Sequence, residues 1–95
     1  MEKLKISEIR TLIKKTDKDL EKIVRLCDHC IPIAENRFLW SLIDKSYFSL
    51  KNIFYSLEFL EKNTTKEKYR RVLLELQKEA DRLMKDYEFI KNQYL

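Results

Sequence analysis

The sequence contains no glycine, and only one proline, one histidine and two cysteines among its 95 residues. Glycine is the residue that most readily takes up positive-φ turn positions. Its absence argues against a turn-rich β-sandwich or barrel and against a glycine-rich phosphate loop. Two cysteines three positions apart do not imply a disulfide framework. A chain of this length predicts a single domain over residues 1–95, built around one core.

Long uncharged apolar runs are also missing. Charges at Glu2, Lys3 and Lys5 interrupt the start of the chain, which predicts no secretory signal. The most apolar stretch, residues 38–60, carries four charged side chains, so we expect no membrane span there. These patterns predict a cytoplasmic protein with no membrane partner.

Apolar residues that recur in alternating steps of four and three positions are abundant. Three separate runs share this spacing, which averages 3.5 residues and is typical of helices that pack side by side, as in coiled coils. The runs are Ile9, Ile13, Thr16, Leu20, Ile23, Cys27 and Cys30; Leu39, Ile43, Ser46, Leu50, Ile53, Leu57 and Leu60; and Tyr69, Leu73, Leu76, Ala80, Leu83, Tyr87, Ile90 and Tyr94. The sequence therefore predicts an all-α fold of three long antiparallel helices in an up-down-up bundle.

Two breaks separate the predicted helices. Asn63 is a residue that ends helices readily, and Thr64 followed by Glu67 fits a capping box at the start of the third helix. The other break lies near Pro32, where either the chain turns at residues 28–31 or one long helix kinks. Because the apolar register changes between the first and second runs, the turn is favoured.

The second helix is apolar around most of its circumference, because aromatic residues flank its heptad run. Such a helix is normally buried on several sides, and two neighbouring helices cover only two of them. We therefore expect these aromatic residues to form a homo-oligomer interface or to bind another protein, which would complete the bundle. The alternative is a compact monomer in which the first helix covers them. The residues are Phe38, Trp40, Tyr47, Phe48, Phe54, Tyr55 and Phe59.

Basic residues are concentrated in the first helix. Residues 1–26 hold eight basic and five acidic side chains, a net charge of +3 out of +4 for the whole chain. Like charges four positions apart repel, and an adjacent phosphate backbone would relieve that repulsion. We therefore predict that these residues contact an anionic partner, for which nucleic acid is one candidate. The alternative is an ordinary solvated surface. The candidates are Lys14, Lys15, Lys18, Lys22 and Arg25, with Arg70 and Arg71 on the third helix.

The sequence Cys27-Asp28-His29-Cys30 is the one segment with residues suited to metal or redox chemistry. A zinc site needs four ligands, and no second Cys/His pair exists in the chain, so such a site would have to be shared between protomers. Both cysteines continue the heptad run, which favours core packing, while His29 falls off it at a helix end. A lone histidine without a nucleophile motif predicts no enzyme activity, no cofactor and no small-molecule substrate.

The order of several features resembles one family of small four-helix-bundle proteins. These features are Ile31-Pro32 with Ala34-Glu35-Asn36, the helix from Ser49 to Leu60, and the segment from Leu73 to Met84. The family comprises the accessory variability proteins of diversity-generating retroelements and the proteins encoded in ribosomal-RNA intervening sequences. The resemblance implies a basic oligomer that binds nucleic acid and, in the retroelement branch, a reverse transcriptase. The chain lacks the Gly that usually follows Ala-Glu and most of the family's first helix, and no functional residue is carried over.

The sequence thus predicts a non-enzymatic binding protein that self-associates through its aromatic helix and contacts an anionic partner through its basic surface. The alternative is a small adaptor or inhibitor, of the kind found in mobile elements and phages, that binds a host protein without nucleic acid.

Overall fold

Three α-helices make up almost all of the computed structural model, which describes residues 4–28 and 37–94. Helix α1 spans Ile6–Asp28, α2 spans Arg37–Asn63 and α3 spans Glu67–Tyr94. These helices are 23, 27 and 28 residues long, and the described residues contain no strand. The predicted all-α fold with three long helices is confirmed.

The helix ends show which backbone groups find partners outside the helical ladder. At the start of α1, the Lys5 N–H donates to Glu8 Oε1 at 3.1 Å. At the end of α2, the Asn63 Nδ2 donates to the Phe59 carbonyl at 2.8 Å. The predicted break after Asn63 is confirmed, but α3 starts at Glu67, later than a Thr64 cap requires. Lys66 takes the N-cap position instead, since its carbonyl accepts from Arg70 N–H at 3.2 Å.

Contacts between the helices fix their relative directions. The Leu4 N–H, just before α1, donates to Ser56 Oγ in the second half of α2 at 2.9 Å. At the opposite end of the bundle, Lys22 Nζ lies 5.2 Å from the centre of the Phe38 ring. Helices α1 and α2 are therefore separate and antiparallel, although Pro32 itself lies outside the described residues.

Helix α3 completes the bundle by packing against both other helices. Residues near its start share a groove with the end of α2, and Lys91 near its end lies 5.1 Å from the Tyr47 ring centre. Helix α3 is therefore antiparallel to α2. The result is an up-down-up rod measuring 49 × 21 × 19 Å.

The core follows the three predicted heptad runs. Most of their side chains meet along the bundle axis and are at most 7% exposed, in the knobs-into-holes manner that this spacing favours. The buried members are Ile9, Ile13, Thr16, Leu20 and Ile23 of α1; Leu39, Ile43, Ser46, Leu50, Ile53 and Leu57 of α2; and Leu73, Leu76, Ala80, Leu83, Tyr87 and Ile90 of α3. The side chains of Cys27, Cys30 and Tyr94 lie outside the described residues.

Three residues depart from the predicted core. Tyr69, in the first turn of α3, is 46% exposed although it continues the run, and Lys66 Nζ lies 5.8 Å from its ring centre. Leu60 is only half-buried. Ser56 is fully buried although it lies off the run, because the chain entering α1 packs on it through the Leu4 hydrogen bond.

A layer of polar side chains crosses the core, with one residue from each helix. Thr16, Ser46 and Tyr87 are each at most 2% exposed. The Tyr87 hydroxyl donates to the Thr16 carbonyl at 3.0 Å, and the Thr16 hydroxyl donates to the Leu12 carbonyl at 2.7 Å. Burial raises the pKa of Tyr87 to about 12. This layer ties α3 to α1 at one register, since sliding either helix would leave the buried hydroxyl unpaired.

Candidate protein-binding and anion-binding surfaces

The seven aromatic residues predicted as an interface occupy three different sides of α2. Trp40, Tyr47 and Phe54, spaced seven apart, lie beside the core and are half-buried. Phe48, Tyr55 and Phe59 lie on the side opposite the core. Phe38 lies near the start of the helix on the side of α1. The structure therefore divides these residues into three groups instead of joining them into one surface.

The group beside the core borders α3. Trp40 and Phe54 pack against the core cluster. Two ammonium groups lie near the Tyr47 ring, with Lys51 Nζ 4.9 Å and Lys91 Nζ 5.1 Å from its centre. Because Lys91 belongs to α3, its cation–π contact helps to hold α2 and α3 together. These aromatic residues therefore already have contacts within the chain.

The group opposite the core forms a second heptad pattern on α2. Phe48, Asn52, Tyr55 and Phe59 follow one another in steps of four, three and four, and we call these four residues the outer stripe. Phe48 is 60% exposed and Tyr55 is 42% exposed, while Asn52 and Phe59 are half-buried. Within the outer stripe, the exposed aromatic surface is therefore that of Phe48 and Tyr55.

Phe38 links the two predicted sites. Its ring is 58% exposed, and Lys22 of α1 lies over it at 5.2 Å. Lys22 belongs to the predicted anion-binding set, so the aromatic and basic sets meet at the end of the bundle where α1 finishes and α2 begins. A partner that covers Lys22 would also contact Phe38.

Five basic residues of α1 share the outward side of that helix, and we call them the α1 ridge. All five are exposed, and they extend over 11 residues, which is about 17 Å along the axis. Among the described residues none of them forms an ion pair within 4.0 Å. The members of the ridge are Lys14, Lys15, Lys18, Lys22 and Arg25.

Of the three acidic residues that lie between ridge residues in the sequence, Asp17, Asp19 and Glu21, the first has a partner on α3. Asp17 points toward α3, where its carboxylate lies 3.5 Å from the Arg82 guanidinium. Arg82 also pairs with Asp86 at 3.5 Å. Because Asp17 pairs with Arg82 in the α1–α3 groove, it offsets the potential of the ridge less than its sequence position suggests.

The predicted basic residues of α3 lie apart from the α1 ridge. Arg70 lines an open groove of about 840 Å³ together with Glu58 and Glu61 of α2. Arg70 and Arg71 share a second, smaller groove with Glu67. Carboxylates are part of both grooves, so an anion would meet a less favourable potential there than at the α1 ridge.

Two exposed apolar side chains on α3 were not predicted as functional. Phe89 is 65% exposed and Leu74 is 57% exposed. Each is adjacent in sequence to a core residue, Ile90 and Leu73, and so falls outside the heptad run. An apolar residue outside the heptad run is the sequence signal that could have identified these two side chains as exposed.

The described part of the chain contains no group of three or more His, Cys, Asp or Glu side chains able to hold a metal ion. His29 and Cys30, and the side chain of Cys27, lie outside the described residues. Within the same residues, no helix has the apolar length that crossing a bilayer requires.

Comparison of the chain with protein-family models, with curated proteins and with solved structures finds no match. The candidate surfaces therefore rest on geometry and charge alone.

Proposed function

We propose that the protein is a non-enzymatic helical binding protein that self-associates through α2 and binds a nucleic acid through α1. The observation that carries the proposal is the presence of two outward surfaces of different chemistry on one small bundle. The outer stripe exposes aromatic rings at Phe48 and Tyr55, and the α1 ridge exposes five cations.

The aromatic surface supports self-association because exposed rings of this size are costly to leave in water. Burial of an aromatic side chain covers about 150–250 Å², so the exposed fractions of Phe48 and Tyr55 represent roughly 200 Å² per chain. At about 25 cal/mol per Å², covering this area on two chains contributes roughly 10 kcal/mol. Association itself costs about 4–15 kcal/mol, so we expect a weak oligomer with a dissociation constant in the micromolar range or above.

The α1 ridge supports binding to a phosphate backbone because its five cations lie close together on one exposed side. Lys14, Lys18 and Lys22 are each one helical turn apart, so their mutual repulsion is relieved when phosphates approach. Such binding releases counterions. For about four phosphate contacts, raising the salt concentration from about 50 mM to about 200 mM should weaken it roughly 100-fold.

The experiment that tests the proposal is size-exclusion chromatography with light scattering, at low and at high salt, while the absorbance of nucleic acid and of protein is recorded. We expect an oligomer at both salt concentrations, with nucleic acid bound only at low salt. An oligomer without nucleic acid at either salt concentration would favour the alternative, an adaptor that binds a host protein. A monomer at all concentrations would refute self-association.

Matched variants separate the two surfaces. Changing Lys14, Lys18 and Lys22 together to Gln should abolish nucleic-acid binding and leave the mass of the oligomer unchanged. The control changes three exposed lysines of α3, Lys68, Lys78 and Lys85, to Gln, which alters the net charge equally on a different helix. If both triple variants lose binding to the same extent, net charge and not the α1 ridge is responsible.

Self-association is tested in the same way with single aromatic residues. Phe48→Gln should lower the mass to that of a monomer. Phe89→Gln on α3 is the matched control, because that ring is 65% exposed and the substitution is identical. Equal loss of mass in both variants would contradict a specific role for the outer stripe.

A further inference from the structure

We infer that the nucleic acid bound by this protein is single-stranded, and that one of its unpaired bases stacks on the ring of Phe38. This inference rests on the proposed binding of nucleic acid through α1, and it adds the class of strand and a contact on α2. It follows from three features at one end of the bundle: an exposed aromatic ring, a cation over that ring, and lysines that continue away from it on both helices.

Phe38 is an exposed ring in cationic surroundings. It is 58% exposed, and Lys22 Nζ of the α1 ridge lies 5.2 Å from its centre. Among the described residues, the other exposed phenylalanines, Phe48 and Phe89, have no cation over their rings. Tyr69 has a lysine near its ring, but it lies at the opposite end of the bundle, where α3 starts. Phe38 alone therefore combines an exposed aromatic face with the α1 ridge, as sites for single strands combine stacking with positive charge.

The contact between Lys22 and Phe38 leaves the ring available to a base. An aromatic ring has two faces, and one ammonium group lies over only one of them. Stacking of a base on an aromatic side chain is also stronger than a cation–π contact at an exposed site, so a base can displace the ammonium group. The displaced lysine then lies next to the phosphate of the stacked nucleotide and pairs with it.

The register of α1 and α2 brings a lysine of α2 to the same surface. Lys45 follows Phe38 by seven residues, and Lys15 precedes Lys22 by seven residues, so each step is about two helical turns. Because the two helices are antiparallel, Lys15 and Lys45 lie level with each other, about 10 Å along the bundle from the Phe38–Lys22 contact. Both are exposed, as is Lys18 between them and the ring. A strand whose base stacks on Phe38 therefore meets cations from both helices along its backbone.

The carboxylates near this surface are fewer than its lysines. Asp17 and Glu21 line the α1–α3 groove, on the other side of α1. Asp19 lies on the α1–α2 side but is half-buried, and Glu8 lies in the first turn of α1, where its carboxylate accepts a backbone N–H. On α2, Asp44 lies about a third of a turn round the helix from the aromatic ring. The potential on the α1–α2 side therefore favours a phosphate backbone.

An aromatic ring as the contact favours a single strand over a duplex. In a duplex the faces of the bases are stacked on one another, and a protein reaches only the base edges through the grooves. A single strand exposes these faces, and every base has one. Stacking on Phe38 therefore requires an unpaired base but no particular sequence.

The test measures the binding of labelled oligonucleotides by fluorescence anisotropy at low salt. The probes are a DNA and an RNA single strand of about 12 pyrimidine nucleotides, and a DNA duplex of about 12 base pairs. We expect a single strand to bind about tenfold more tightly than the duplex. Phe38→Leu keeps an apolar side chain but removes the aromatic face, so it should weaken single-strand binding about tenfold and leave duplex binding unchanged. Phe38→Trp should retain the binding of the unmodified chain.

Matched variants control for the loss of an exposed ring and of a charge. Phe89→Leu is the same substitution at a ring that is 65% exposed and has no cation over it, and it should not alter binding. Lys45→Gln should lower the slope of log affinity against log salt by roughly 0.7 to 1, as one lost phosphate contact predicts. Lys78→Gln on α3, also an exposed lysine, should leave the slope unchanged. Circular dichroism of each variant checks that the bundle is still helical.

The outcomes separate this inference from the proposal beneath it. If the duplex binds as tightly as the single strands, or if Phe38→Leu weakens binding no more than Phe89→Leu, the stacked base is refuted while binding of nucleic acid stands. An unchanged slope in Lys45→Gln would overturn the path assigned to the backbone of the strand. If the unmodified chain binds none of the probes, both proposals are refuted.

Discussion

The buried hydroxyl of Tyr87 should cause the bundle to lose stability at high pH. Tyr87 is 1% exposed, and its hydroxyl donates to the Thr16 carbonyl at 3.0 Å. Its pKa is raised from 10.0 to about 12, chiefly by burial in the core, with the carboxylates of Asp19 and Asp17 contributing in the same direction and Ser46 opposing them. A phenolate at this place would face a carbonyl oxygen without water, so the folded state holds the proton more tightly than the unfolded chain does.

The sign and the size of the effect follow from this difference in pKa. Because the folded pKa is above the unfolded one, the contribution is fully present below pH 10 and is lost as the pH rises to about 12. Raising a pKa by one unit corresponds to about 1.4 kcal/mol, so the loss approaches roughly 3 kcal/mol in the free energy of unfolding. About half of it should appear by pH 11, midway between the two values.

The variant Tyr87→Phe isolates this contribution. It keeps the ring in the core, removes the hydrogen bond to Thr16 and cannot ionise. Near neutral pH it should be less stable than the unmodified chain by about 1 kcal/mol, the net value of one buried hydrogen bond. The difference should vanish at about pH 11 and then reverse in sign, because only the unmodified chain has a phenol to ionise.

Urea denaturation followed by circular dichroism at a series of pH values measures the free energies. Deprotonation of lysines affects both chains alike, so the quantity of interest is the difference between them. Tyr69→Phe serves as the control, since Tyr69 is 46% exposed and its hydroxyl is not in the core. A difference between Tyr87→Phe and the unmodified chain that stays constant from neutral to high pH would refute the reasoning.

Two further predictions concern single polar contacts, one an ion pair and the other a hydrogen bond. Asp17→Asn should lower the free energy of unfolding by less than about 1 kcal/mol, because the Asp17–Arg82 pair is about half exposed, and this loss should shrink at high salt. A larger loss in urea denaturation that does not depend on salt would contradict this prediction. Ser56→Ala should cost about 1 kcal/mol and speed hydrogen exchange at Leu4, whose N–H loses its acceptor; unchanged exchange at that amide would contradict the role of this hydrogen bond. Ser49→Ala, which removes an exposed hydroxyl from the same helix, is the control for Ser56→Ala.

The heptad runs predicted the helices and most of the core because their period is set by helix geometry alone. Leu50, Ile53 and Leu57 are buried for this reason, whatever surrounds them. Tyr69 and Ser56 could not be predicted in this way. Their burial depends on where neighbouring helices end and on which backbone groups need a partner, which are properties of the packed bundle.

The arrangement of the aromatic residues was harder to predict for a different reason. An up-down-up bundle can be built with α3 on either side of α2, and both arrangements satisfy the same three runs. The choice decides whether the flank with Trp40, Tyr47 and Phe54 meets α3 or α1. Sequence spacing identifies that flank but not its neighbour. The contact of Lys91 with Tyr47 places α3 beside this flank, and Phe48 and Tyr55 remain exposed on the other side of α2.

Phe54 and Phe48 make the division of the aromatic residues testable, because they are the same residue type on the same helix. Phe54 is half-buried and packs against the core, so Phe54→Ala should lower the free energy of unfolding by about 2 kcal/mol. Phe48 is 60% exposed, and Phe48→Ala should cost less than about 1 kcal/mol. Urea denaturation at concentrations below self-association measures both values.

The same two variants should have the opposite order in self-association. Phe48→Ala removes a ring that meets the second copy, whereas a folded Phe54→Ala variant keeps the outer stripe and should retain the mass of the oligomer. One variant then affects folding and the other affects assembly, a result that a general loss of hydrophobicity does not produce. If both variants lower stability equally and neither changes the mass, Phe48 belongs to the core and the outer stripe is not an interface.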